Sequence, residues 1–418
     1  MTLRVFLYLS FPTSKNCPSH THNHRKLNNS SHLYFIETMY KKVRIKNFKS
    51  LYDVELDIRK VNVVVGPNGS GKSNLVQVFM LLREIIRPSS YPPLPFLPFG
   101  GYDKVVYMHD TSKDVSIDIV GDDFEYSLTF NGKEHTINIK KEFIRYKDFT
   151  IEREDELIKV DGKEIKENRI SPYNSVFSLV QKVGMITFSN LPVQLPHDIM
   201  EFMANFGYDI IVLRVIPEIA ISQVPNYFPL SLRVDGYGLA KLLYLTRLNI
   251  FPFPTIKHES AESIPIAIKR FLDENNMRFD FQITQDGSIM LIFKEKIGDK
   301  EITLVPQAVP SGVAKMLVIL SAIYLLNPKL LIIDEVENHL HLKFIEELTD
   351  HFKFSNPQFI ITTHSPLVID LYDPSDIVLL SREGFDTKAE RIKNSKELTD
   401  KLIDLGVSLS DWIFGFPK

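Results

Sequence analysis

The feature that most constrains this chain is segment 66–73, which reads Gly-Pro-Asn-Gly-Ser-Gly-Lys-Ser. Its spacing is G-x-x-x-x-G-K-S, in which glycines let backbone N–H groups turn towards phosphate oxygens. The β-branched run at 61–65 predicts a buried strand before it, and the apolar period from Ser73 to Arg87 predicts a helix after it. The positive end of that helix favours bound anions. The segment therefore predicts a phosphate-binding loop in an α/β fold.

Individual roles in this loop follow from its chemistry. Lys72 is expected to reach the β and γ phosphates, and the Ser73 hydroxyl is expected to bind Mg²⁺. A glycine-rich turn that carries a lysine by chance is the alternative, and the strand and helix on its two sides argue against it. The expected nucleotide contacts of the loop are Asn68, Gly69, Ser70, Gly71, Lys72, Ser73 and Asn74.

Two strand ends far downstream carry further chemistry. The apolar run 330–333 ends in Asp334-Glu335, and the run 358–363 ends in His364. Ligands bind at the carboxyl ends of parallel strands. We therefore expect Asp334 to hold Mg²⁺ through water, Glu335 to orient or deprotonate the attacking water, and His364 to reach the γ-phosphate. Taken alone, each is also compatible with a solvated strand end or a capped loop, and the phosphate-binding loop favours catalysis.

A second anion site is predicted where a helix opens before the Asp334 strand. Pro310 and Ser311 are good helix-start residues, and the helix is expected to run from about Val313 to Leu326. Ser311 and Gly312 would then expose a helix N-terminus to a phosphate. An ordinary helix cap is the alternative interpretation.

These elements, in this order, resemble the ABC-type ATPase head, and most closely the AAA-named group related to RecF, SMC and the OLD nucleases. Segment 45–50 resembles the group's first strand, 66–73 its Walker A loop, 311–312 its signature, 333–341 its Walker B and D-loop, and 362–366 its switch histidine. The resemblance implies a P-loop NTPase fold with a mixed sheet, an antiparallel β layer and a helical and β lid insertion. It also implies ATP and Mg²⁺ as ligands and a homodimer that closes around two ATP molecules.

The sequence departs from this group at several points. The signature lacks the usual leucine and second glycine, and Gln181 and Gln194 are the candidates for the Q-loop glutamine. Coiled-coil heptads are not visible between Arg87 and Pro310, and the residues after Leu380 are too few for a Toprim domain. We therefore expect a head without either addition.

Composition and pattern divide the chain into four segments. Residues 1–38 are rich in Asn, Ser and His and are expected to be disordered or to precede a true start at Met39. We assign 39–184 to a first ATPase lobe with a β insertion, 185–300 to a variable lid and 301–418 to a second lobe.

Within the middle of the chain, 105–166 alternates as antiparallel strands do, and 197–275 is expected to be mostly helical. Three dipeptides predict hairpin turns, namely Asn131-Gly132, Asp161-Gly162 and Asp286-Gly287.

Composition limits the partners and the compartment. The 418 residues include 49 basic and 52 acidic side chains, so the net charge of −3 gives no global attraction to nucleic acid. One cysteine excludes a disulfide framework and favours the cytoplasm. The longest apolar run, 316–326, is too short to span a membrane. A local basic patch is nevertheless expected near the first strands, at Lys41, Lys42, Arg44, Lys46 and Lys49.

The leading interpretation is an ATP-hydrolysing mechanoenzyme of DNA repair or phage defence, acting on DNA or with an effector nuclease or toxin. The alternative is a nucleotide-gated protein-binding module that regulates such an effector. A P-loop kinase or GTPase is disfavoured, because Asp334-Glu335 and His364 accompany the loop and a guanine-binding N-K-x-D motif is absent.

Overall fold

The structure is a computed structural model that describes residues 39–165, 170–183, 186–191, 193–250 and 264–415. The prediction for residues 1–38 lies outside this described part. The strands are β1 Tyr40–Phe48, β2 Leu51–Asp57, β3 Val61–Val65, β4 Val115–Gly121, β5 Phe124–Lys133, β6 Thr136–Tyr146, β7 Phe149–Glu154, β8 Leu157–Val160, β9 Lys163–Glu164, β10 Val180–Val183, β11 Ile186–Ser189, β12 Ile210–Leu213, β13 Met277–Ile283, β14 Ile289–Ile297, β15 Lys300–Leu304, β16 Leu330–Ile333, β17 Gln358–Thr362, β18 Ile377–Glu383 and β19 Asp386–Arg391. The α-helices are α1 Lys72–Ile86, α2 His197–Asp209, α3 Pro217–Ala220, α4 Leu239–Arg247, α5 Ile266–Glu274, α6 Ser311–Ser321, α7 Leu342–Phe354, α8 Pro366–Asp370, α9 Ser395–Leu405 and α10 Leu409–Gly415.

The central sheet has the order β12-β16-β17-β3-β18-β19, parallel except for the last strand. Every residue of β3, β16 and β17 is buried, as expected for parallel strands covered on both faces. In β3, Val64 belongs to one apolar core, whereas Val63 and Val65 belong to the other. The sheet therefore separates two cores and brings the carboxyl ends of its parallel strands to one edge.

An eight-stranded antiparallel sheet, ordered β2-β1-β4-β5-β6-β7-β8-β9, forms a second layer. Buried and half-buried residues alternate along β4, as the sequence pattern predicts. Gln358 links the two sheets, because its side-chain amide accepts a hydrogen bond from the Tyr40 N–H and donates one to the Tyr40 carbonyl, both at 2.8 Å. The predicted P-loop architecture with a mixed sheet and an antiparallel layer is confirmed.

Two of the three predicted hairpin turns are confirmed. Asp161-Gly162 joins β8 to β9 with positive φ at both residues, and Gly287 joins β13 to β14. The prediction at Asn131-Gly132 is wrong, because both residues lie inside β5 and the chain turns at 134–135. Gly132 is needed there for close packing, since a Cβ would stand 2.4 Å from the Phe96 ring.

The segment assigned to the lid is not wholly separate from the ATPase core. Its strand β12 is parallel to β16 and forms the edge of the central sheet. The expectation of mostly helix at 197–275 therefore missed a core strand, because β12 has four residues and follows α2 directly. The division of the chain into four domains stays a prediction.

Two smaller sheets accompany this core: β10 pairs with β11, and β13, β14 and β15 form a three-stranded sheet. The predicted helix before β16 begins at Ser311, two residues earlier than expected, and continues as a π-helix over Ala322–Leu326. Among the helices in the described ranges, none combines the length and the apolar character that a membrane crossing requires.

Candidate nucleotide site

The phosphate loop joins β3 to α1 and contains glycines whose backbone angles or close contacts favour glycine. Gly69 and Gly71 have φ of 80° and 108°, in the left-handed region. A Cβ on Gly71 would also lie 2.3 Å from the Thr387 hydroxyl, and one on Gly66 would lie 2.2 Å from the Leu380 carbonyl. The loop is thus held against β18 and β19.

Lys72 is folded back onto its own loop. Its ammonium donates hydrogen bonds to the carbonyls of Gly66 at 2.6 Å and Pro67 at 3.1 Å. Burial lowers the pKa of Lys72, although the negative charges of Asp334, Glu337 and Glu335 oppose that shift. These two carbonyl contacts hold the Lys72 ammonium against the backbone of the loop.

The other predicted loop contacts differ in exposure. Asn68, Gly69 and Ser73 are exposed, whereas the Ser70 hydroxyl is buried and has no hydrogen-bond partner among the described residues. The Asn74 amide instead donates to the Ser50 hydroxyl at 2.8 Å, so in this structure it ties α1 to the β1–β2 turn.

Asp334 and Glu335 lie at the carboxyl end of β16, and a threonine of the neighbouring strand fixes them. The Thr362 hydroxyl donates to Asp334 Oδ1 at 2.6 Å and accepts from the Glu335 N–H at 2.8 Å. Burial raises the pKa of Asp334, while the Thr362 hydrogen bond and Arg214 oppose this effect. Glu335 has a φ of 51°, a strained value for a residue with a side chain.

His364 lies beyond the end of β17 with an exposed side chain. Its backbone N–H donates to Glu337 Oε1 at 2.7 Å, so the loop after β16 holds the histidine segment. The second carboxylate oxygen of Glu337 is buried without a hydrogen-bond partner in the described part of the chain. Lys72, Asp334, Glu335 and His364 are thus brought to the same edge of the central sheet, as the motifs predicted.

Ser311 and Gly312 form the first turn of α6, which packs on the loop after β16. A Cβ on Gly312 would lie 2.9 Å from the His339 carbonyl, so the glycine permits this close approach. Farther along the helix, Lys315 is 1% exposed and donates to the carbonyls of Glu335 and Asn338, both at 2.9 Å. Burial lowers the pKa of Lys315 to about 8.

The sequence analysis missed Arg214, the residue that follows β12. Its guanidinium lies 3.7 Å from Asp334 and 3.8 Å from Glu335. Of the two Q-loop candidates, Gln181 belongs to β10 and Gln194 is exposed in the loop before α2. The sequence signal for Arg214 was the short apolar run 210–213 that ends in this cation. The run indicates a site residue only once it is known to pair with β16.

The donors at this edge suit a nucleotide with a bound Mg²⁺. Carboxylate and hydroxyl oxygens, such as those of Asp334 and Ser73, are the ligands that Mg²⁺ prefers. The glycine cradle, the orphaned Ser70 hydroxyl and the loop-bound Lys72 ammonium all match the donors that phosphate oxygens require. The residues present therefore fit both groups.

Family models match both parts of the chain that supply this edge. Residues 39–192, with the phosphate loop, match the model described as "AAA ATPase domain". Residues 244–370, with Asp334, Glu335 and His364, match the model described as "AAA domain, putative AbiEii toxin, Type IV TA system". The chain is therefore an ATPase similar to the ABC-type group of RecF, SMC and OLD proteins. It binds nucleotide and hydrolyses ATP.

The chain is similar to three named sequences. It is 24% identical over 366 residues to an "ATP/GTP phosphatase" of Helicobacter pylori, which covers 80% of this chain and 88% of the relative. It is 32% identical over 129 residues to "Retron Vc95 probable ATPase" of Vibrio cholerae, covering 29% of this chain and 24% of the relative. An "OLD nuclease" of Thermus scotoductus is 35% identical over 51 residues, or 12% of this chain and 10% of that protein.

Solved SMC heads are also similar to this ABC-type ATPase. An SMC head bound to the C-winged helix domain of ScpA has a TM-score of 0.46 and 15% identity, covering 86% of this chain and 99% of that one. The SMC head domain from Thermotoga maritima has a TM-score of 0.39 and 14% identity, covering 85% and 99%.

Proposed function

We propose that this ATPase is a Mg²⁺-dependent switch in which two copies close around two ATP molecules and hydrolysis separates them. The observation that supports hydrolysis best is the meeting of Lys72, Asp334, Glu335 and His364 at the carboxyl ends of β3, β16 and β17. A phosphate-binding cation and a candidate base thereby lie at one edge of one sheet.

Each group has a defined task in this proposal. Lys72 exchanges its loop carbonyls for the β and γ phosphate oxygens, with Asn68, Gly69, Ser70, Gly71 and Asn74 around them. Ser73 and, through water, Asp334 would hold Mg²⁺, which would supply positive charge to the phosphates. Glu335 takes a proton from the attacking water, and His364 contacts the γ-phosphate.

Pairing of two copies is supported by the surface around α6. Ser311 and Gly312 are partly accessible, and His364 is exposed. Lys315 anchors the helix to the Glu335 loop, so the α6 N-terminus is fixed relative to the candidate base. In a symmetric pair each copy would present this N-terminus to the γ-phosphate bound at Lys72 of the other.

Sedimentation of Glu335→Gln with Mg-ATP tests this proposal. The variant keeps the hydrogen-bonding shape but lacks the base, so ATP binds, hydrolysis falls by orders of magnitude and the closed pair accumulates. Ser311→Arg in the same chain fills the phosphate pocket and should keep it monomeric. A monomeric Glu335→Gln at saturating ATP, or pairing that Ser311→Arg leaves unchanged, contradicts the composite site.

For the biological role we propose phage defence in the cytoplasm, with an effector nuclease or toxin as partner. The AbiEii description of one matching model and the retron relative support this choice. DNA repair by direct DNA contact has weaker support, because acids pair with much of the predicted basic patch. Lys41 forms an ion pair with Asp122 at 2.6 Å. Lys42 pairs with Glu55, and Arg44 pairs with Asp53, both at 2.8 Å.

ATPase rates with and without single-stranded, double-stranded and end-blocked DNA distinguish the two roles. The effector proposal predicts that DNA leaves the rate unchanged at every salt concentration. Stimulation that falls steeply with salt would instead indicate phosphate contacts and return DNA repair to the leading position.

A further inference from the structure

Arg214 is placed at the site by backbone pairing and not by its own side chain. Leu213, the last residue of β12, pairs with Ile333 of β16, and its carbonyl accepts the Asp334 N–H at 2.8 Å. On the other side, the Arg214 N–H donates to the Val234 carbonyl at 2.7 Å. The Cα of Arg214 is therefore held beside the Asp334-Glu335 step by hydrogen bonds on both sides of the chain.

Its side chain is comparatively free. The guanidinium stands 3.7 Å from Asp334 and 3.8 Å from Glu335, beyond hydrogen-bonding distance, and is 56% exposed. Long, exposed ion pairs of this kind contribute little to stability. The arrangement keeps a cation next to two carboxylates without fixing it there, so the side chain can turn to another anion at low cost.

The γ-phosphate of ATP is the anion that the Arg214 side chain could reach. In the proposed function, Lys72 binds the γ-phosphate and Glu335 activates the water that attacks it, so this phosphate must lie between the two residues. Arg214 borders Glu335 on the side of β12, away from β17 and β3. A guanidinium offers a planar fork of donors that matches phosphate oxygens.

We propose that Arg214 binds the γ-phosphate of ATP from within the same chain and thereby makes the site distinguish ATP from ADP. This inference rests on the proposed function. Without nucleotide, Arg214 faces the two carboxylates. With ATP bound, Asp334 would hold Mg²⁺, whose charge would offset that carboxylate, and the guanidinium would turn to the γ-phosphate. ADP lacks this phosphate and gains nothing from the arginine.

Binding of AMP-PNP, a non-hydrolysable ATP analogue, and of ADP to Arg214→Ala, measured by calorimetry with Mg²⁺, tests the proposal. Loss of a charge-assisted contact should weaken AMP-PNP binding by about 10- to 100-fold and leave ADP binding within about twofold. Arg214→Lys keeps the charge without the fork and should lie between the two. Arg247→Ala is the matched control, since Arg247 is 50% exposed and pairs with Asp280 far from the phosphate loop in sequence.

Three outcomes separate the inference from the function beneath it. Equal losses for AMP-PNP and ADP, or no loss for either, overturn the role of Arg214 if Lys72→Ala still abolishes both. Retained binding of both nucleotides by Lys72→Ala overturns the proposed site and this inference with it. Selective loss of AMP-PNP affinity, with a melting temperature equal to that of wild type, supports the assignment.

Discussion

The two helix starts at the nucleotide site are built in different ways. At α1, left-handed Gly69 and Gly71 shape the loop, and Lys72 supplies the cation from the same eight-residue segment. At α6, the cation Lys315 donates instead to the carbonyls of Glu335 and Asn338 in the loop after β16. The α1 start thus supplies both the glycines and the cation of an anion site. The α6 start is bonded through Lys315 to the loop of the candidate base, and it has no cation of its own to offer a phosphate.

This difference suggests separate tasks for the two anion sites. Under the proposed function, the α1 loop binds nucleotide in a single chain, whereas the α6 N-terminus, joined to the Glu335 loop, contacts a second copy. Binding and assembly should then respond to different substitutions, and the variants below test that separation.

The largest effect is expected at the first helix start. Lys72→Ala removes the loop's cation, so ATP and ADP affinity should each fall by more than about 100-fold while stability changes little. Calorimetric titration measures both affinities. Exposed Lys396→Ala is the control, and unchanged affinity in Lys72→Ala contradicts the phosphate-loop assignment.

The next effect concerns the attachment of α6. Lys315 has a folded pKa of about 8 against an ordinary 10.5. Between pH 8 and 10.5 the unfolded chain binds more protons than the folded one. The free energy of unfolding should therefore rise with pH in this range, by up to about 3 kcal/mol. The free energy of unfolding of Lys315→Met should not show this rise. Below about pH 8 the difference in that free energy between wild type and variant should stay constant. Urea unfolding of both proteins from pH 7.5 to 10 tests this, and parallel profiles would refute it.

A smaller effect is expected from the packing of the same helix. Gly312→Ala pushes a methyl group against the His339 backbone and the Phe344 ring, which should cost about 1–3 kcal/mol. Gly415→Ala is the matched control, because no other part of the chain that the structure describes lies within 4 Å of its Cβ position. Thermal unfolding compares the two, and equal melting temperatures would mean that α6 shifts freely.

The smallest effect is expected for Ser311→Ala. The N-cap residue of α6 is Pro310, and Ser311 is only the first residue of the helix and partly accessible, so stability should change by less than about 0.5 kcal/mol. At concentrations where the chain is monomeric, nucleotide affinity should also be unchanged. A marked loss of affinity in the monomer would show that α6 serves the nucleotide of its own chain and would remove the distinction between the two helix starts.

Features formed by adjacent residues could be predicted from the sequence, whereas features formed by distant strands could not. The phosphate loop and β16 were predictable because their geometry is encoded in adjacent residues: glycines at fixed spacing and apolar runs buried on both faces. Arg214 was not, because its position depends on the pairing of β12 with a strand more than a hundred residues away. Lys315 gave a weaker signal: a lone lysine in an apolar helix must find buried acceptors, but the pattern cannot say which.

The strand order of the central sheet also determines how long β3 waits for its neighbours while the chain is being synthesised. Strand β3 is made early, yet its neighbours β17 and β18 begin at Gln358 and Ile377. At roughly 5–20 residues per second, the wait for them is about 15–60 s. During that time the five residues of β3, all buried in the finished fold, lack both partners and are prone to aggregate. Nascent chains of this protein should therefore depend on chaperones until β18 has left the ribosome.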